Sequence, residues 1–153
     1  MDHQTRLVEE LDQSRETMRQ VIAELDLKKE YYPGWSIQQV LAHITGWDEA
    51  VTASLRAFLA GGDAAIASYR GINEYNERSV ETRGDLPYEH VRQEWELARD
   101  DLKASLRDIP AGRMLDEVLT PWGERGSIVE MVEIFIHHEA SHAKELRELK
   151  NKA

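Results

Sequence analysis

Apolar residues recur every three or four positions along four long stretches of this chain, the spacing that lines one face of an α-helix. Leu7, Leu11, Met18, Val21, Ile22 and Leu25, with Val8 beside them, predict a first helix over 3–29. Ile37, Val40, Leu41, Ile44, Trp47, Val51, Leu55, Phe58 and Leu59 predict a second. It runs to about Ala60, where Gly61-Gly62 stops it. Val91, Trp95, Ala98, Leu102, Leu106 and Ile109 mark a third, ending before Pro110. Ile128, Met131, Phe135, His138, His142, Leu146 and Leu149 mark the last. That helix carries a second apolar row, Val129, Val132, Ile136, Ala140 and Ala143. The second row needs a cover, which the crossover segment or a second subunit can supply.

Polar residues punctuate the stripes. Ser14 and Arg15 interrupt the first one and read as a solvent-facing rim, with a polar notch beside a pocket as the other reading. Tyr31-Tyr32-Pro33-Gly34 turns the chain. Ser36 and Gln39 predict a capping box, with Trp35 and Val40 at the positions of a hydrophobic staple. Residues 61–86 form a long connection with a short helix expected around Ile72–Val80. Asp85 is the expected cap of the third helix, with Pro87 in its first turn. Ser127 and Glu130 predict a second capping box at the start of the last helix. Tyr69–Gly71 and Leu115–Leu119 are too short to predict a sheet. The expected fold is all-α: one domain over 1–153, a four-helix bundle with a long crossover between helices two and three.

Composition narrows the partners. The net charge is −10, from 19 Lys and Arg against 29 Asp and Glu. No nucleic acid is expected, because phosphate binding needs clustered cations. An anionic membrane surface is disfavoured for the same reason, and no apolar run is long enough to span a bilayer. The N-terminus lacks the apolar core of a signal peptide, so the cytoplasm is the expected compartment. With no cysteine, any thiol in the chemistry must come from outside the chain.

Two histidines occupy core positions of the last helix. His138 and His142 lie only about 40° apart around the axis, one turn above the other. Buried polar rings need partners, and one metal ion satisfies both. The segment His138-Glu139-Ala140-Ser141-His142 spells the zinc-peptidase pattern His-Glu-x-x-His. Only eleven residues follow it, too few to return a third ligand, so that ligand is expected upstream. His43, amid Leu41, Ile44 and Trp47 on the second helix, is the best candidate. His3 and His90 fall near helix starts and read as surface residues. His137 points about 100° away from His138 and misses the site. Three histidines leave an open coordination position, the mark of a catalytic rather than a structural site.

The ordered set Trp35-Ser36, His43, Trp47 and, far downstream, His138-Glu139 and His142 resembles the DinB-like superfamily, also called the DinB/YfiT-like metalloenzymes. The resemblance spans nearly the whole chain. It implies an up-down-down-up bundle, a homodimer, and a divalent ion, zinc or nickel, on His43, His138 and His142. It also implies that Tyr75-Asn76, in the connection after helix two, faces the pocket. Members of the superfamily include transferases and isomerases that use mycothiol, bacillithiol or glutathione, and a hydrolase.

A small-molecule enzyme is therefore expected, thiol-dependent and S-transferase-like, or hydrolytic. The alternative is a bundle that binds a metal or small ligand without turnover. Glu139, Tyr75 and Asn76 are the candidate catalytic residues, with Asp48 a further assistant. Glu139 lies about 60° round the helix from His142, placed either to orient an imidazole or to face solvent. Trp35, Trp47, Trp95 and Trp122 read most simply as core or staple residues. Trp122, in the loop before the histidine helix, is also a candidate pocket wall.

Overall fold

The computed structural model describes residues 1–151. Five helices succeed one another: α1 (His3–Ala23), α2 (Ile37–Leu59), α3 (Ile72–Glu81), α4 (Tyr88–Asp108) and α5 (Ile128–Lys150). A two-stranded antiparallel hairpin, β1 (Glu117–Leu119) and β2 (Arg125–Ser127), precedes α5. The four long helices form the bundle, and α3 is the crossover helix. Ion pairs and hydrogen bonds along the seams report their directions. Arg6 meets Glu133 and Lys150 meets Glu24, so α1 and α5 run parallel. Gln38 reaches Leu86 O and Arg56 reaches Ser105, so α2 and α4 run parallel too. Gln4 donates to Leu106 O and Ile109 O, while Arg19 pairs with Glu96, so α1 and α4 are antiparallel. This is the up-down-down-up order.

The helix limits follow local chemistry. Asp2 accepts from Thr5 N–H at 2.7 Å and opens α1. That helix stops at Ala23, six residues before the expected limit, as the chain turns through 24–30. Tyr31 and Tyr32 then bond back to Trp35 O across the turn. Ser36 and Gln39 make the contacts expected of them, with Gln39 Oε1 accepting from Ser36 N–H at 2.9 Å. Ser127 accepts from Glu130 N–H and starts α5. At α4 the cap position is Pro87 rather than Asp85, since helical geometry begins only at Tyr88. The end of the Leu115–Leu119 stretch, Glu117–Leu119, does join a sheet: each short strand pairs with the other, which the length of either alone did not predict.

The second apolar row of α5 is covered in part within the bundle: Val129, Val132 and Ala143 are buried, Ile136 is half-buried and Ala140 is exposed. Val129 and Val132 pack in one cluster with Leu7, Val8 and Leu11. Ser14 and Arg15 overturn the expectation of a solvent rim, for both are buried and Arg15 is 1% exposed. The reason is a set of charges that the four bundle helices share. Arg15 from α1, Asp48 from α2, Arg99 from α4 and Glu139 from α5 meet in the core. Arg15 donates to Glu139 and Asp48, and Arg99 donates to Asp48 and Glu139. Two positive and two negative charges cancel, which is the condition for burying them at all. Arg15 also lies over the Trp95 ring, 3.9 Å from its centroid.

Candidate metal centre and cavity

α2 and α5 face each other with three imidazoles between them. His43 Nε2 lies 3.1 Å from His138 Nε2, and His142 Nε2 lies 3.2 Å from His138 Nε2. All three residues place a ring nitrogen within 4.8 Å of the others. Metal–imidazole bonds of about 2.0–2.1 Å in a tetrahedron put nitrogens roughly 3.3 Å apart, so the spacing fits one divalent ion. The rings are also in the right protonation state. Burial first, then the neighbouring His138 and His142, push His43 down to about 3. Burial and His142 push His138 down to about 4. Burial lowers His142 as well. Neutral imidazoles with converging nitrogens are ready donors for a cation.

Tyr32 fixes the third ring. Its hydroxyl donates to Glu145 Oε1 at 3.2 Å, which leaves it an acceptor for His142 Nδ1–H at 3.0 Å. With its proton on Nδ1, His142 directs the lone pair of Nε2 at the other two rings. His43 Nδ1 and His138 Nδ1 are buried and have no hydrogen-bond partner among the described residues. Trp35 packs on His43 with ring centroids 5.2 Å apart. His3, His90 and His137 are exposed and stand outside the cluster, as their positions predicted.

Beside the imidazoles lies a cavity of about 330 Å³. His43 and His138 line it on one side. Trp47, Trp122 and Phe135 wall it, and half-exposed Ile72 and Ile134 stand at its rim. The hairpin carries Trp122 into place, with Thr120 bonded to Glu124 across the turn and Gly123 at φ 92°. Trp122 thus stands 6.4 Å from Trp47, centroid to centroid. The crossover supplies the remaining wall. Gly46 permits the approach: a Cβ there would stand 2.2 Å from Ser79 Oγ. Tyr75 Oη donates to Gly46 O at 2.6 Å and pins α3 against α2.

The candidate catalytic residues separate. Asn76 lines the cavity and accepts from Trp47 Nε1 at 2.7 Å. The Tyr75 hydroxyl is engaged by the α2 backbone. The Glu139 carboxylate is engaged by Arg15 and Arg99 and makes no hydrogen bond to the imidazoles among the described residues. Burial alone would raise Glu139, and the guanidiniums of Arg99 and Arg15 outweigh it and lower it. At Asp48 burial prevails over the same two guanidiniums and raises it. Tyr32 and Arg99 carry no mark in the sequence that sets them apart. Arg15 does carry one, as the charge that broke an apolar stripe.

Comparison with known proteins agrees with this architecture. The bundle superposes on crystal structures of the mycothiol-dependent maleylpyruvate isomerase, as such and as a histidine-to-alanine mutant, with TM-scores of 0.74 and 0.76 at 16% identity. Each match covers 94% of this chain but 60% of the isomerase chain, so this chain spans about three-fifths of that protein. A protein from Streptococcus pneumoniae superposes with a TM-score of 0.79 at 12% identity, over 98% of this chain and 91% of its own. No curated protein matches the sequence. The family model for the mycothiol maleylpyruvate isomerase N-terminal domain matches residues 7–143, nearly the whole bundle with all three clustered histidines, and the chain belongs to that family.

Proposed function

We propose that this chain is a metal-dependent enzyme acting on a small molecule with a low-molecular-weight thiol as co-substrate. His43, His138 and His142 hold a divalent ion, zinc or nickel, in this reading. The observation that carries it is the convergence of three neutral imidazoles beside a small, nearly apolar cavity. Membership of a family named for a mycothiol-dependent isomerase supports the thiol. An ion bound there supplies the positive charge that holds a thiol as thiolate, or a water as hydroxide, near neutral pH.

The chain's own residues do the rest. Tyr32 keeps His142 in the tautomer that offers Nε2. Trp47, Trp122 and Phe135 exclude water from the reacting pair. Asn76 is the polar group placed to orient a substrate, while Tyr75 and Glu139 act through position, one holding α3 and the other α5. Two chains associating as a homodimer belong to the same proposal. No helix among the described residues is long and apolar enough to cross a membrane.

Metal analysis on untagged protein tests the ligand set. Near-stoichiometric metal is expected, with a large loss in each of His43→Ala, His138→Ala and His142→Ala. Unchanged metal in the three variants would overturn the site. A panel of thiols with electrophilic substrates then tests turnover, which should vanish after chelation and return with added zinc or nickel.

A further inference from the structure

We infer that the cavity beside the imidazoles takes an uncharged molecule with an aromatic or aliphatic body and one hydrogen-bond acceptor oxygen, such as a ketone or aldehyde. This deepens the proposed function, since it names the class of co-substrate for the same site. Three observations lead there.

The walls come first. Trp47, Trp122 and Phe135 give the occupant flat apolar surface, and Ile134 and Ile72 extend it to the rim. Surfaces of this kind take up apolar bodies by removing both from water.

Charge comes second. No Lys, Arg, Asp or Glu lines the cavity among the described residues, and the chain as a whole carries −10. A carboxylate buried against these walls would lose its water and meet no counter-charge from the lining, a penalty several-fold larger than that for a carbonyl. An ion on the histidines can accept one anionic group. A second, on the Trp122 side, has no cation in the lining to meet it.

Asn76 comes third. The indole N–H of Trp47 can only donate, so the Asn76 branch that receives it at 2.7 Å is the oxygen. The other branch, Nδ2, is therefore an N–H donor. It belongs to a residue that lines the cavity together with His43. It is the one side-chain amide in the lining, and an acceptor oxygen is what it can hold.

The test uses a matched pair of probes, acetophenone and benzoate, equal in shape but different in charge. Binding to the full chain is followed by calorimetry at pH 8, as purified and after chelation. Acetophenone should bind both forms. In the chelated form it should bind at least about tenfold tighter than benzoate, the ratio set by one undischarged carboxylate. Ile134→Arg places a cation at the exposed rim and should reverse that preference. Asn76→Asp keeps an acceptor for Trp47 but removes the donor, and should weaken acetophenone by about threefold to tenfold. Benzoate equalling acetophenone in the chelated chain, or neither binding up to its solubility limit, would overturn the inference. Metal content and the histidine variants report separately on the metal site, so either reading can fail while the other stands.

Discussion

Arg15 Nε donates to Glu139 Oε1 at 2.9 Å in a part of the core closed to solvent, and the two residues stand 124 positions apart in the chain. Glu139 is the immediate neighbour of His138. The pair therefore ties α1 to the stretch of α5 that presents the imidazoles. Removing Arg15 leaves Glu139 and Asp48 against one guanidinium instead of two. Arg15→Leu should cost about 3–5 kcal/mol, the usual result of breaking a buried pair from one side. Arg19, on the same helix, pairs with Glu96 at a half-exposed site. Arg19→Leu should cost under about 1 kcal/mol. Urea denaturation at pH 7 compares the two, and equal losses would show that the core charges contribute no more than a surface pair.

Much of this was legible beforehand, for identifiable reasons. The helices announced themselves because each buries one face, so period and burial coincide at Leu7, Trp47, Trp95 and Phe135. His43 and His138 were visible as polar rings on apolar stripes, and the structure brings their nitrogens to 3.1 Å. Arg15 broke a stripe in the same manner, yet no local signal could say that its partners sit on three other helices. A charge in an apolar row therefore marks either a rim or a buried network, and only tertiary contacts decide. Tyr32 was hidden because its sequence context, Tyr-Tyr-Pro-Gly, accounts fully for a turn and leaves nothing over to suggest a partner in α5. The hairpin was missed because three-residue strands owe their pairing to each other and to the Thr120–Glu124 turn, not to any periodicity of their own.

Tyr32 offers a direct check on the metal centre. Its hydroxyl contacts His142 Nδ1 from outside the cluster and touches no other imidazole by hydrogen bond. Tyr32→Phe removes the tautomer lock and little volume. Metal affinity should fall about 10–100-fold, the common cost of losing such a supporting partner, with the helical fold retained. Competition against a chromophoric chelator measures it. An unchanged affinity would mean that His142 keeps its orientation by packing alone.

Gly46 sets how closely the crossover can approach the bundle. A Cβ added there would stand 2.2 Å from Ser79 Oγ and 2.7 Å from Ser79 Cβ, so rotation of the serine hydroxyl cannot relieve it. α3 must move away, and Asn76 with it. Gly46→Ala should destabilise by about 1–3 kcal/mol through overpacking. Adding Ser79→Gly removes both clashing atoms, so the double variant should recover stability although glycine is the poorer helix former. Denaturant midpoints of the two variants decide it. A double variant less stable than Gly46→Ala would place the close approach elsewhere.

Acid should unfold the chelated protein in a way that traces to the imidazoles. His43 and His138 are held at about 3 and about 4, with burial the leading cause for both. In the unfolded chain a histidine titrates near about 6.5. Below that pH the unfolded state binds protons that the folded state refuses, so stability falls as pH drops. Each ring can contribute a loss of up to about 1.4 kcal/mol per pH unit, which ceases to grow once its folded value is passed. Glu139, lowered by Arg99 and Arg15 against burial, adds in the same direction but only in the carboxylate range. Asp48, raised by burial, acts oppositely: its share of stability is lost as pH rises through its folded value. The histidine share is isolated by His43→Phe, which removes one titrating ring and leaves the core charges in place. Between pH 6.5 and 5 the variant should lose stability less steeply than the parent, each followed by urea denaturation after chelation. Equal slopes would mean that His43 is protonated in the folded chain, and therefore unable to offer its nitrogen to a cation.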